Sequence, residues 1–292
     1  MPTGMTTSIS LEQGKDTIIN AARTRREYPT GMVALCEIQN LPENQGDVWS
    51  EFVMEKMDAQ NVSETGSLDN YQQYTGSLLY CRPLMAGNAH YLSRLVKQRL
   101  NKKVLAQIGT QLQNGIMRKK DIDGHYIING AGVQIGASGD SLTIAQIAAA
   151  MESIMFGKGA EPGMEPIVAM LHGYQILGVK NQLMRISVNN NPIPTGISQE
   201  TIRTGEVGVI NGVTLYRNNL IKRDGNTDAV GGAWGKGAIV CVQGFDMLTF
   251  TKDFPDRIGG TAIYHYDQYG YVERSKGNHL VAILTDATDP TA

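Results

Sequence analysis

Residues 91–120 read YLSRLVKQRLNKKVLAQIGTQLQNGIMRKK, a stretch with no proline and with Gly109 and Gly115 as its only glycines. Apolar residues fall at Leu92, Leu95, Val96, Leu100, Val104, Leu105, Ile108, Leu112 and Ile116. That spacing of three and four places one stripe on a helix. Asn88 is positioned to cap the N-terminus, and Arg118, Lys119 and Lys120 fall where the helix dipole favours positive charge. At the helical rise the rod is about 40 Å long, well over twice the usual globular helix. A rod of that length with one narrow stripe must lie across a flat sheet or a neighbouring subunit, because the stripe is too narrow for the interior of a bundle.

The bulk properties narrow the class. The 292 residues suffice for one large domain or two small ones. Charged residues make up 18%, below the usual quarter. The net charge of −2 gives no bulk attraction to nucleic acid or anionic membrane. Abundant glycine, sparse aromatics and much Asn, Gln, Ser and Thr suit a loop-rich protein whose surface meets other protein. Cys36, Cys81 and Cys241 are odd in number and far apart, without a CxxC pair, so neither a complete disulfide framework nor zinc is expected. The start, MPTGMTTSISLEQGKD, lacks the basic and apolar regions of a signal peptide, and no apolar stretch reaches the ~20 residues of a membrane span. A soluble chain made in a reducing cytosol is expected.

Outward from the helix, the chain divides into segments of unequal self-sufficiency. Residues 1–41 make a poor compact unit: 17–26 (TIINAARTRR) offers a helical turn or two before Tyr28-Pro29-Thr30-Gly31 breaks it. Residues 47–57 and 71–82 flank a polar middle and suggest a hairpin projecting from the body. In the first flank, Trp49, Phe52, Val53 and Met57 fit helix and strand equally. An isolated hairpin is marginal in water and leans on another molecule.

Beyond the helix, residues 125–135 read as short strand and turn. A second helix follows, LTIAQIAAAMESIMFGKG, capped by Asp140 or Ser141. Then come a buried strand at 166–171 (PIVAML) and a third helix from His172. Strand is expected within 207–220, loop at 223–236, and a strand pair broken at Gly244 over 238–251. Residues 261–271 alternate, with a turn near Gly270, and 279–285 form the last strand.

Catalytic patterns are weak. The run Gly130-Ala-Gly-Val-Gln-Ile-Gly136 lacks the helix that must open directly on the glycines to bind a pyrophosphate. The five histidines show no HExxH spacing, and His172 reads as a group satisfying backbone at a strand–helix junction. Glu161 and Glu165 flank a solvated Pro-Gly loop. One charge feature stands out, the cluster Arg94, Lys97, Arg99, Lys102 and Lys103, which is either a solvated helix face or a surface toward packaged polyanion.

The order of arm, extended loop, long helix, α/β middle and closing sheet resembles the major capsid protein of tailed double-stranded DNA phages, the Hong Kong 97 fold. Residues 62–83 look like the distal and returning part of its E-loop, and 91–120 like its spine helix. The helix at 143–156, PIVAML and the "H-x-x-Q" start at His172 look like its A-domain, as does Gly212-Val-Thr-Leu-Tyr216. The resemblance implies a mixed α+β chain with an N-arm (1–41), an E-loop with its flanks (42–82), a P-domain (83–140), an A-domain (141–253) and a return to the P-domain sheet (254–292).

It also implies a structural protein without catalysis or cofactor. Copies would assemble into hexamers and pentamers of an icosahedral head, in the host cytoplasm, around double-stranded DNA met through phosphate charge at Arg94, Lys97, Arg99, Lys102 and Lys103. Trp49, Phe52, Val62, Glu64, Tyr71 and Tyr74 would make E-loop contacts between subunits. No long scaffolding segment precedes the arm, so the resemblance implies a separate scaffolding protein or none, with portal and decoration proteins as further candidate partners. Lys56 lies in the E-loop, but no crosslinking chemistry is expected of it. The rival readings are an encapsulin-type nanocompartment shell on the same fold and an α/β enzyme using the Gly130 region and His172.

Overall fold

The structure is a computed structural model. It describes residues 5–6, 31–41, 46–62, 71, 73, 75–99, 102–156, 161–188, 208–255, 259–274 and 277–290, with the side chains of 5–6, 99, 102–105 and 184–188 excepted. In chain order the elements are β1 (Met5–Thr6), α1 (Met32–Leu35), β2 (Glu37–Asn40), β3 (Trp49–Met54), β4 (Gly76–Cys81) and β5 (Leu84–Leu92). Then follow α2 (Arg94–Arg99), α3 (Lys102–Tyr126), a 3-10 turn (Ile127–Gly130), β6 (Val133–Ile135), α4 (Ile144–Phe156), β7 (Ile167–Leu171) and α5 (Gly173–Val188). The chain closes with β8 (Val209–Ile210), β9 (Val213–Arg217), β10 (Asp228–Trp234), β11 (Ile239–Phe254), β12 (Gly260–Glu273) and β13 (Leu280–Asp286). The mixed helix and strand content agrees with the expected class. The segment 17–26 lies outside the described residues.

The strands form a five-stranded sheet, β1-β5-β12-β11-β2, a six-stranded sheet, β6-β13-β10-β7-β9-β8, and the hairpin β3-β4. Helix α3 packs on the five-stranded sheet through the predicted stripe, with Leu112 and Ile116 buried, as is Val96 of α2. The stripe's first member is strand instead: Tyr91 and Leu92 end β5, pairing with Ala262 and Thr261. Asn88 also sits in β5, so Ser93 takes the capping place, its carbonyl accepting from Lys97 N–H at 2.9 Å. The helix continues six residues beyond Lys120, to Tyr126.

The end of the helix carries buried polar groups, Lys120 and Asp121 among them. Lys120 Nζ donates to Asp267 Oδ2 of β12 at 3.1 Å, with both side chains at most 5% exposed. Asp121 Oδ1 accepts from the Gly31 and Met32 amides at 3.0 and 2.7 Å, and its other oxygen from Asn218 after β9. Tyr269 donates to Asp123 at 2.8 Å, and His125 Nε2 lies 2.8 Å from the Val230 carbonyl of β10. Gly124 admits the close approach, because a Cβ there would stand 2.7 Å from Met32 and 2.9 Å from Tyr271.

The six-stranded sheet has cores on both faces. On one, Ile147, Ala150 and Ile154 of α4 and Ile176 and Val179 of α5 pack with Ile167, Ala169 and Leu171 of β7. On the other, Met32, Ile128, Trp234 and Leu280 meet. Helix α4 is capped one turn later than expected, by a reciprocal box: Gln146 N–H donates to Thr143 Oγ1 at 3.3 Å, and Thr143 N–H to Gln146 Oε1 at 2.8 Å. His172 caps α5 in the same way, its Nδ1 accepting from Tyr174 N–H at 3.2 Å while Gln175 Oε1 accepts from His172 N–H at 2.9 Å.

Three expectations change. Residues 223–236, expected as loop, contain β10, a central strand flanked by β7 and β13. Its glycines are a packing requirement: a Cβ at Gly232 would stand 2.6 Å from Ile128. The strand pair expected over 238–251 is one strand, β11, with Gly244 at a register shift between Gln243 and Phe245 rather than at a turn. Strand β12 likewise runs straight through Gly270. The closing residues also divide, β12 joining the five-stranded sheet and β13 the six-stranded one, while β11 joins β12.

Removing one member of the buried pair leaves an uncompensated charge, so Lys120→Met should cost about 3–5 kcal/mol in urea denaturation, and adding Asp267→Leu should recover much of it. Burial lowers the pKa of His125 and of His172, and of His90 and His265 as well. Below about pH 6.5 the unfolded chain therefore binds more protons than the folded one. Stability should be full above that pH and fall on acidification, so melting at pH 7, 6 and 5 should show a declining Tm. His125→Gln, which keeps a donor for Val230, should flatten the decline.

Candidate assembly surfaces

Strand β3 alternates half-buried Trp49, Glu51 and Val53 with exposed Ser50, Phe52 and Met54. Its antiparallel partner β4 alternates in phase, setting Phe52 opposite Leu78 and Ser50 opposite Tyr80. One face of the hairpin therefore carries Phe52, Met54, Leu78 and Tyr80, exposed at 50, 67, 62 and 70%. The other face turns to the body, where Trp49 packs with Cys81, Val240 and Val242. The ribbon thus turns one largely apolar face toward water.

A second open face lies on the five-stranded sheet, opposite α3. Residues 264, 266 and 268 of β12 alternate with His265, Asp267 and Tyr269, of which Asp267 and Tyr269 bond the helix. Tyr264 and Tyr266 stack with ring centroids 6.2 Å apart, and Phe250 lies 6.2 Å from Tyr266. Leu248 pairs with Tyr266, and Met85 with Gln268 on the far strand. Leu248, Phe250 and Met85 are exposed.

The predicted contact residues separate by strand parity. Phe52, Val62 and Tyr71 are exposed, whereas Trp49 is half-buried and packs on Cys81, Val240 and Val242. Glu64 and Tyr74 lie outside the described residues. Met54, Leu78 and Tyr80 share the exposed face with Phe52, a placement that the alternation in WSEFVM and GSLLYC encodes. Of the basic cluster, Arg94 and Lys97 are exposed on α2, and Lys97 Nζ donates to Thr261 Oγ1 at 3.2 Å. Arg99 is in α2 and Lys102 and Lys103 open α3, with side chains outside the described set.

Elsewhere the chemistry is quiet. His172 is engaged as a helix cap. Cys36, Cys81 and Cys241 are free thiols, all with raised pKa, chiefly from burial. Among the described residues no group of His, Cys, Asp and Glu is placed to hold a metal, and no helix is long and apolar enough to cross a membrane.

No protein-family model matches the chain, and no curated protein matches its sequence. Solved structures match it nearly end to end. The capsid of Ralstonia phage GP4 aligns with a TM-score of 0.70 at 13% identity, covering 99% of this chain and 100% of that one. The capsid protein of cyanophage P-SCSP1u gives 0.70 at 11% identity, covering 99% and 97%. That of cyanophage Pam1 gives 0.69 at 12%, covering 92% and 95%. The chain therefore has the fold of phage capsid proteins, as the sequence resemblance implied.

Phe52→Ser combined with Leu78→Ser changes exposed positions, so the monomer's stability should move by under about 1 kcal/mol. If the hairpin face is an assembly surface, the double variant should stay folded by circular dichroism and fail to form particles in sedimentation.

Proposed function

We propose that this chain is a major capsid protein, assembling into hexamers and pentamers of an icosahedral phage head that encloses double-stranded DNA. The observation that carries the reading is the hairpin's open apolar face on a chain with a phage-capsid fold. A projecting ribbon of this kind is a liability in a monomer and an asset in a shell. Heterologous contacts, repeated from copy to copy, close rings and then a container.

On this reading the hairpin is the E-loop and the segment before residue 42 the N-arm. The five-stranded sheet with α3 is the P-domain, and the six-stranded sheet with α4 and α5 the A-domain. The linear division proposed from sequence (42–82, 83–140, 141–253, 254–292) then needs three exchanges, β11 to the P-domain and β6 and β13 to the A-domain. Trp49, Phe52, Val62, Glu64, Tyr71 and Tyr74 are the proposed inter-subunit contacts, joined by Met54, Leu78 and Tyr80. The cluster Arg94, Lys97, Arg99, Lys102 and Lys103 is the proposed DNA-facing surface, contacting phosphate and no base edge. Assembly in the host cytoplasm, with separate scaffolding, portal and decoration proteins, completes the proposal, and the mature location is the virion.

Expression of the chain followed by electron microscopy and analytical ultracentrifugation tests this. Capsomers or closed shells are the expected products, and a monodisperse monomer at high concentration would overturn the reading. Deleting residues 45–75 should leave a folded monomer unable to close a shell. Normal shells from that deletion would remove the hairpin from the assembly contacts.

A further inference from the structure

The base of the hairpin is fixed by packing, through Trp49 against Val240 and Val242. Farther along β3 a cleft of about 1040 Å³ opens between hairpin and body, bordered by Val53 and Glu55 on one side and Met164, Lys236 and His279 on the other. Packing at one end with open space along the flank leaves a swing undetermined. A second fixed point away from the pivot removes that freedom.

Arg274, directly after β12, supplies such a point. Its Nε donates to Glu51 Oε2 of β3 at 2.9 Å. The same guanidinium grips Glu37 at the start of β2, with Nη2 donating to Oε1 at 3.1 Å and Nη1 to the other oxygen. Nη1 also donates to the Gly237 carbonyl at 3.1 Å. Three chain segments besides its own thus meet on one planar fork, whose geometry suits two carboxylates as an ammonium does not. The hydrogen bond to Arg274 is also the main cause holding the Glu37 carboxyl below its usual range. Glu51 is two residues beyond Trp49, about 7 Å along the strand. That separation suffices to set an angle.

We infer that Arg274 is a positioning residue that sets the angle of the hairpin to the body through Glu51, with Glu37 as its anchor. The inference rests on the capsid reading for its purpose. Subunits in non-identical positions of a shell need a projecting element held at defined settings. The three side chains are 24–37% exposed, so water reaches the latch and the setting can change without unfolding the base.

The test uses the full chain, unassembled, with spin labels at Ser50→Cys and Gln113→Cys, both exposed positions. The native thiols, with pKa raised by burial, label slowly. One narrow distance distribution is expected with the latch intact. Glu51→Gln and Arg274→Gln should each widen it about twofold or more. The double variant should do no more than either single one, because both break one link. An unchanged width in Glu51→Gln, or additive widening, would overturn the inference, and Glu51→Gln keeps the test decisive if Arg274→Gln fails to fold. In assembly, Glu51→Gln with an unchanged Tm should give shells of mixed size, whereas uniform shells would overturn the role in assembly. If the parent chain forms no shells, the proposed function fails while the distance measurement still judges the latch.

Discussion

The structure depends on the last turns of α3, where a helix that looks amphipathic becomes polar and buried at once. Lys120 and Asp123 bond β12 of one sheet, while Asp121 and His125 bond the end of β9 and β10 of the other. Four residues at different angles around one helix thus face two sheets. Apolar packing alone would let the helix slide by a turn, since Leu, Ile and Val tolerate exchange of neighbours. Charged and hydrogen-bonded groups do not slide, because each lost partner leaves a buried polar atom with a cost of about 1–3 kcal/mol or more. The seam therefore fixes register and the mutual orientation of the sheets.

With the sheets fixed, the contrast between interior and periphery becomes intelligible. Both faces of the six-stranded sheet are covered, and its core side chains are inaccessible. The five-stranded sheet is covered on one face, and the hairpin is held at its base. Folding of a single chain is thus complete where the seam and the two cores lie. It remains incomplete where Phe52, Leu78, Phe250 and Met85 meet water.

The sequence announced what periodicity can announce. The stripe at Leu112 and Ile116, the continuous run PIVAML and the two flanks of the hairpin all became the elements expected of them. The misses share one cause, information carried by residues distant in sequence. Strand β10 reads as loop because Gly231 and Gly232 answer to the bulk of Leu171 and Ile128, which no local window contains. Lys120 reads as a solvated cation at a helix end, and its partner is 147 residues away. The hairpin latch joins Arg274 to Glu51 and Glu37 across 223 and 237 residues. Trp49 and Phe52 were grouped together until the strand period of two sent them to opposite faces.

A division between a settled interior and an unsettled rim has an energetic logic for a protein made in many copies. Each exposed apolar side chain on the hairpin returns at most about 1.5–3 kcal/mol when fully covered, and each is already covered in part. On the proposed reading a single hairpin contact is therefore weak and reversible, so a misplaced copy can leave. Closure changes the arithmetic, because a subunit held on several sides must break all of its contacts to escape, and linked weak contacts multiply. Such a scheme works if each contact is presented at a repeatable angle. A loosely tethered ribbon would spend its few kcal/mol on being ordered. The rigid seam within the body and the salt-bridged base of the hairpin serve that one requirement, since orientation fixed before encounter leaves more of a small binding energy for assembly.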